Sequence, residues 1–388
     1  MPVPFSYSVR NLWTRKLTTM LTAGGMALVA FVFAAVLMLA EGLEQTLVET
    51  GSPENAIVLR GAAETEVASV IERSSGSIIE VQPEIAQNGL GETIAAKEAL
   101  VLVTLPKRST GKPTNVIVRG VGPHSLELRP QVKLIAGRLF RPGSREIIVG
   151  KGLAENMKGA HLGGSLHFAM SDWVVVGTFD AGQTAFSSEV WTDADQLMQA
   201  FRRDAYSSLI ARVPGRHAFE SLKQRLENDP RLTVQVKREM DFYKEQSEVM
   251  SKFIRILGIA MTTFFSFGAI LGAMVTMYSA VANRIREIGT LRAIGFSRAS
   301  ILVAFLAESL LLGLIGGLVG IVCSSVLQFL TISTVNWETF SELAFGFRLT
   351  PAIAGYTLAF ALIMGFMGGL FPAWRAARLK IVDSLRQD

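Results

Sequence analysis

The chain has 388 residues, of which 49% are hydrophobic and 18% charged, with a formal net charge of +5 and a positive mean hydropathy. That is too apolar for an ordinary soluble protein and too charged for one built of membrane spans alone. The basic excess lies largely beside apolar runs, which reads as membrane topology and not as nucleic-acid binding, and the lone cysteine, Cys323, excludes an intrachain disulfide.

Residues 1–16 carry Arg10, Arg15 and Lys16 and give way to Leu17–Ala40, 24 residues without a charge. The apolar core of a cleavable signal is only about 7 to 15 residues, so this run predicts a retained first span at 17–44, with residues 1–16 in the cytosol. From 45 to 250 the composition is that of a soluble domain, long enough to bury its own core. Runs of strand formers predict strands at 55–60, 78–82, 115–121, 146–150, 173–179, 209–213 and 232–237. Helical periodicity predicts helices at 64–73, 194–203 and 216–228. The acids of this region stand singly, the pattern of a solvated surface, and His124, His161, His167 and His217 lack metal-ligand spacing. The region reads as an α+β domain inserted between the first and second spans. One crossing from a cytosolic N-terminus puts it outside the cytosol.

A second apolar run, 251–282, contains Arg255 near its outer end, read as a snorkelling residue, and a third, 301–332, has Glu308 as its sole charge. The loop between them, 283–300, sets Arg284, Arg286, Arg292 and Arg298 against Glu287, an excess that marks the cytosolic side. Ile285, Ile288, Leu291 and Ile294 recur every third residue and predict a short helix with a drifting apolar stripe. Gly295 offers a left-handed stop and Ser297 an N-cap for the next helix. On helix physics alone this could be an amphipathic turn resting on headgroups.

Inside a span the Glu308 carboxylate costs about 2.5 to 3.5 kcal/mol, so it needs a partner such as Arg284 or Arg292, or a reach back to the interface. Gly313, Gly316, Gly317 and Gly320, with Gly365 and Gly369 in a fourth run at 351–374, let other helix backbones approach closely. Cys323 reads as one more small packing residue. Residues 333–350 lack a basic excess and read as an outer loop, whereas 375–388 return to the cytosolic pattern.

The run Arg286-Glu287-Ile288-Gly289-Thr290-Leu291-Arg292-Ala293-Ile294-Gly295, followed by Phe305-Leu306-Ala307-Glu308, resembles the cytoplasmic segment of the MacB/FtsX-type permeases of ATP-binding cassette (ABC) systems. The ordered pieces Leu134–Arg138, Glu146–Gly150, Leu162–Leu166 and Trp173–Gly177 resemble the MacB-type periplasmic core, and Pro372–Arg378 with Ser384-Leu385-Arg386 is similar to the family's C-terminal end. The resemblance implies an α-helical membrane protein with four transmembrane helices and an extracytoplasmic α+β domain of two α/β-like lobes between the first and second, in the bacterial inner membrane. It makes 283–300 a coupling helix that engages an ABC ATPase through Arg284, Arg286, Glu287, Ile288, Leu291, Arg292, Ile294 and Gly295. It also implies a second permease copy, identical or paralogous, and a periplasmic adaptor with an outer-membrane partner.

No G-x-x-x-x-G-K-[ST] phosphate cradle occurs, and Gly111-Lys112 lacks the upstream glycine. The expectation is therefore no cofactor bound by this chain, with ATP and Mg held by a separate ATPase, a departure from MacB, whose ATPase shares its chain. No His-Glu-x-x-His motif occurs, and Gly163–His167 lacks the last glycine of a nucleophile elbow. Four spans without an internal repeat do not build a secondary transporter. The resemblance implies a non-catalytic permease subunit coupling ATP hydrolysis to export or extraction by mechanotransmission. The alternative is a non-transporting regulator of a periplasmic cell-wall hydrolase.

Overall fold

The computed structural model describes residues 16–379. The motif pieces Arg10, Arg15 and Ser384-Leu385-Arg386 lie outside the described residues. Within them the chain forms two compact units: a membrane-helix unit of 16–41, 252–330 and 347–379, and a sheet unit of 42–251 and 331–346.

Helix α1 (Lys16–Val48) is followed by β1 (Asn55–Arg60), β2 (Ile71–Glu72), α2 (Arg73–Glu80), and a long hairpin of β3 (Ala95–Pro106) and β4 (Pro113–Val121). Next come α3 (Ser125–Leu128), β5 (Lys133–Gly137), β6 (Glu146–Gly150), α4 (Lys151–Asn156), β7 (Ser165–Phe168), β8 (Ser171–Asp180) and β9 (Glu189–Asp193). The sheet unit continues through α5 (Ala194–Ala200), β10 (Ala205–Tyr206), β11 (Ser208–Arg212), α6 (Arg216–Glu227) and β12 (Val234–Arg238). Ten strands join one mixed sheet in the order β12-β1-β11-β3-β4-β9-β6-β8-β5, with β7 on β8. The pairs β4/β9 and β6/β8 are parallel and the others antiparallel. One continuous sheet thus runs through the whole domain.

Strand alternation sorts the side chains. Val58, Val101, Val103, Val118, Ile147, Val149, Trp173, Val190 and Leu209 point into the main core, where a fully buried side chain of this size contributes about 1.5 to 3 kcal/mol. A second core gathers Val121, Ile148, Phe179, Phe186 and Trp191.

Two expected elements are corrected. Residues 64–70 of the helix predicted at 64–73 form bends, turns and irregular chain, with Glu66 drawn into the interior by Arg119. The strand predicted at 78–82 is instead the end of α2, which buries Gly76 and Ile79 on one face. No strand is predicted at 95–106, where Ala95-Ala96-Lys97-Glu98-Ala99-Leu100 favours helix by composition. Register pairing from Ala99↔Gly120 to Pro106↔Pro113 overrides that local preference.

Helix α7 (Glu239–Ala282) starts earlier than the predicted span at 251; its turns up to Ser251 belong to the sheet unit, and the apolar part 252–282 to the membrane-helix unit. It is followed by α8 (Ile285–Ala293) and α9 (Arg298–Ser325). The outer loop predicted at 333–350 is largely folded, as β13 (Thr331–Val335) pairs with β14 (Glu342–Gly346). This hairpin docks within the sheet unit: Lys107 Nζ lies 2.8 Å from Glu342 Oε1, and Ala344 N donates to Ser188 Oγ at 3.3 Å. Helix α10 (Pro351–Ala377) closes the described chain.

Among the described residues, four helices, α1, α7, α9 and α10, are long and apolar enough to cross a membrane. Glycines on two faces of α9 set how closely they pack. A Cβ at Gly316 or Gly320 would lie 2.8 Å from Met26 Cβ or Ala30 Cβ on α1, and one at Gly313 would lie 2.6 Å from the Ala361 carbonyl on α10. Gly317 faces Ala361 as well, and Gly365 and Gly369 meet Ser309 from the other side. Cys323, expected to be packed, is exposed on α9.

Candidate functional site

The segment between α7 and α9 folds as the short helix α8, ended by Gly295 at φ 105°, a conformation that favours glycine. Ser297 caps α9 by accepting from Ser300 N at 3.1 Å. The apolar stripe does not form one surface. Ile288 is buried with Val281, Ile301, Phe305, Ala373 and Ala376, Ile285 and Leu291 are half-buried, and Ile294 is 72% exposed. Arg286, Glu287, Thr290 and Gly295 are exposed too. Ile288, expected to meet an ATPase, thus anchors the helix from inside, and the accessible face is Arg286, Glu287, Thr290 and Ile294.

Arg284, at the N-cap of α8, is buried and forks onto Glu308 of α9: Nη1 to Oε2 at 2.8 Å and Nη2 to Oε1 at 3.4 Å. The fork fixes orientation as well as charge, which a single-point contact could not do. The guanidinium also lies 5.8 Å from the Phe305 ring centre. Arg292, the other partner considered for Glu308, donates to the Phe296 carbonyl at 3.3 Å. Helix α8 is therefore tied to α9 by an ion pair at its start and by Ile288 one turn on.

A second site lies in the sheet unit, on the face opposite the main core. Arg119 of β4 donates through Nε and Nη2 to Glu189, through Nη1 and Nη2 to Glu66, and through Nη1 to Glu98, at 2.8 to 3.1 Å. Arg129 also serves Glu98, and its Nη2 lies 3.4 Å from Glu239 Oε1. The ring of Phe186 lies 5.3 Å from Arg119 Cζ and 4.6 Å from Arg129 Cζ. Tyr243 donates to Glu66 at 3.1 Å, and Trp191 Nε1 to Glu189 at 2.8 Å. All six charged groups are buried, so the reading of single acids as solvated surface is wrong for Glu66, Glu98, Glu189 and Glu239.

Glu239, the first residue of α7, also receives Ser52 N at 3.0 Å and Asn55 Nδ2 at 2.8 Å, from the chain just after α1. Gly51 approaches so closely that a Cβ would lie 2.7 Å from the Glu239 carbonyl carbon. The end of α1 and the start of α7 are thus joined on one carboxyl. Burial raises the Glu239 carboxyl above its ordinary range against the opposing pull of Arg129. The positive end of α7 favours the anion by only about 0.3 to 1 kcal/mol, against several kcal/mol for an ion buried without full compensation. Burial also opposes ionisation of Glu66, but the Arg119 guanidinium, Arg129 and the Ser208 hydroxyl together hold that carboxyl below its ordinary range.

Among the described residues, four apolar helices, a basic helix between the second and third candidate spans, and a sheet domain inserted after the first make up a chain built to span a membrane and carry a large inserted domain. Comparison with known families agrees in both parts: the model of the MacB-like periplasmic core domain matches residues 19–229, and that of the FtsX-like permease C-terminal domain matches residues 259–381. The chain belongs to the MacB/FtsX-type family of ABC transporter permeases.

The macrolide export ATP-binding/permease protein MacB of Neisseria gonorrhoeae is 24% identical over 423 residues, covering 99% of this chain and 61% of the relative. The chain thus spans about three-fifths of that protein's length. The uncharacterized ABC transporter permease YknZ of Bacillus subtilis is 24% identical over 402 residues, covering 98% of each. The solved extracellular domain of the transporter YknZ from Gram-positive bacteria covers 47% of this chain and 99% of that one, at 18% identity and a TM-score of 0.36.

Proposed function

We propose that the chain is the membrane subunit of an ABC system whose ATPase is a separate polypeptide, binding ATP and Mg, and that it passes the ATPase's movement to the extracytoplasmic domain to drive export or extraction of a client. The observation that carries this is the buried Arg284–Glu308 fork, which ties the start of an exposed helix to the interior of α9. Force applied to Arg286, Glu287, Thr290 and Ile294 then reaches the spans without loss in a flexible loop. A second permease copy, identical or paralogous, completes the complex in the bacterial inner membrane, with the sheet unit in the periplasm meeting an adaptor and an outer-membrane partner. The match of the inserted domain to the MacB-like core favours export over regulation of a cell-wall hydrolase.

The test is co-purification of the ATPase with the double variant Arg286→Glu, Ile294→Asp. Both positions are exposed, so the fold is expected to survive while the ATPase loses one apolar contact worth about 1.5 to 3 kcal/mol, a drop in affinity of roughly tenfold or more. Wild-type recovery of the ATPase with the folded variant would contradict the docking face.

A further inference from the structure

The buried cluster of the sheet unit holds two cations and four carboxyls: Arg119 and Arg129 against Glu66, Glu98, Glu189 and Glu239. Guanidinium groups stay charged in proteins, so full ionisation would leave two uncompensated negative charges in the interior. The geometry shows where compensation is weakest. Glu66, Glu98 and Glu189 each receive Arg119 within 2.9 Å, whereas among the described residues the ion-pair partner of Glu239 is Arg129, at 3.4 Å and shared with Glu98, which it binds more closely. Beside it, Asn55 Oδ1 is buried without a hydrogen-bond partner.

We infer that Glu239 is a proton-linked joint: with the ends of α1 and α7 seated on the sheet it holds a proton, and it releases that proton to solvent when the joint opens. The charged and titratable groups acting on it are Arg129 after α3, Glu98 on β3 and Tyr243 one turn along α7, with Arg119 on β4, Glu66 before β2 and Glu189 on β9 behind them in the same cluster. Arg238, next to it in sequence, points away to the Val213 and Gly215 carbonyls. Burial holds the Tyr243 phenol well above its ordinary range, so it stays neutral. Arg119 and Arg129 stay charged, and with the Ser208 hydroxyl they hold the Glu66 carboxyl below its ordinary range.

The sign follows from linkage. The seated state binds one more proton than the opened state between the ordinary glutamate value and the raised value of Glu239, so it weakens as pH rises through that window. Acid in the outer compartment strengthens the seating of the joint, and rising pH weakens it. The inference draws on the proposed function only for its use, because the test needs neither ATPase nor client.

That test is hydrogen exchange, read by mass spectrometry on the full chain in lipid nanodiscs across a pH series. Protection of the amides at 46–55 and 239–245, corrected for the intrinsic pH dependence of exchange, is expected to fall by up to about tenfold per pH unit above the ordinary glutamate value of about 4.3, the slope of one proton. Glu239→Gln keeps an acceptor for Ser52 and Asn55 but cannot titrate, and is expected to flatten the profile. If that variant does not fold, the wild-type protein still decides: the infrared C=O band of a buried protonated carboxyl should persist above the ordinary carboxylate range. A flat wild-type profile, an unchanged slope in folded Glu239→Gln, or no such band would overturn the joint.

Discussion

Arg119→Met is expected to leave the sheet unit unable to hold its fold. The side chain serves Glu66, Glu98 and Glu189 at once, and its loss strands three buried carboxyls that Arg129 cannot reach together. Breaking one buried pair from one side costs about 3 to 5 kcal/mol. Three stranded partners therefore compare with the whole stability of a domain, about 5 to 15 kcal/mol. Arg119→Lys is expected to fare little better, since an ammonium cannot reproduce the planar fork. Protease resistance of the extracytoplasmic domain in membrane preparations reads the outcome. Resistance equal to wild type in Arg119→Met would show that the cluster contributes little to the fold.

Arg284→Met is expected to destabilise the membrane-helix unit by about 3 to 5 kcal/mol, because it leaves Glu308 buried without a countercharge. Adding Glu308→Leu should recover most of that loss, since a buried pair replaced by apolar groups is often neutral in stability. The two readouts then separate. Thermal unfolding of the detergent-solubilised double variant should return toward wild type, while ATP-driven movement of the extracytoplasmic domain stays impaired, because the oriented link from α8 to α9 is gone. A double variant that recovers both stability and ATP-driven movement would assign the pair no more than a structural role.

The membrane helices were largely legible because length and apolarity suffice to mark them: four long apolar runs with few or no charges, basic flanks and glycines at contact spacing. Arg284 could be named as a partner for Glu308 because an intramembrane acid demands one. Ile288 was harder. A three-residue apolar repeat on a nine-residue helix drifts around it, and only the packing of Val281, Phe305 and Ala373 decides which member turns inward. The sheet-unit cluster escaped sequence reading for a related reason. Arg119 and Glu189 alternate with Val118 and Val190, the period of a half-solvated strand, and nothing local shows that their face is covered. One available signal was the number of strand positions carrying opposite charges, two of which, Glu98 and Arg119, lie on adjacent strands of a hairpin.

The central claim is that ATP hydrolysed on a partner moves the extracytoplasmic domain through these helices. Its most direct test is pulsed electron spin resonance on the complex of two permease copies and ATPase in nanodiscs, with one spin label at Ser109 of each copy and Cys323→Ser to remove the native thiol. The account predicts that trapping the ATPase in its ATP-bound state shifts the distance distribution between the two labels, and that Arg284→Met with Glu308→Leu suppresses the shift. Identical distributions with and without ATP in the assembled wild-type complex would contradict it.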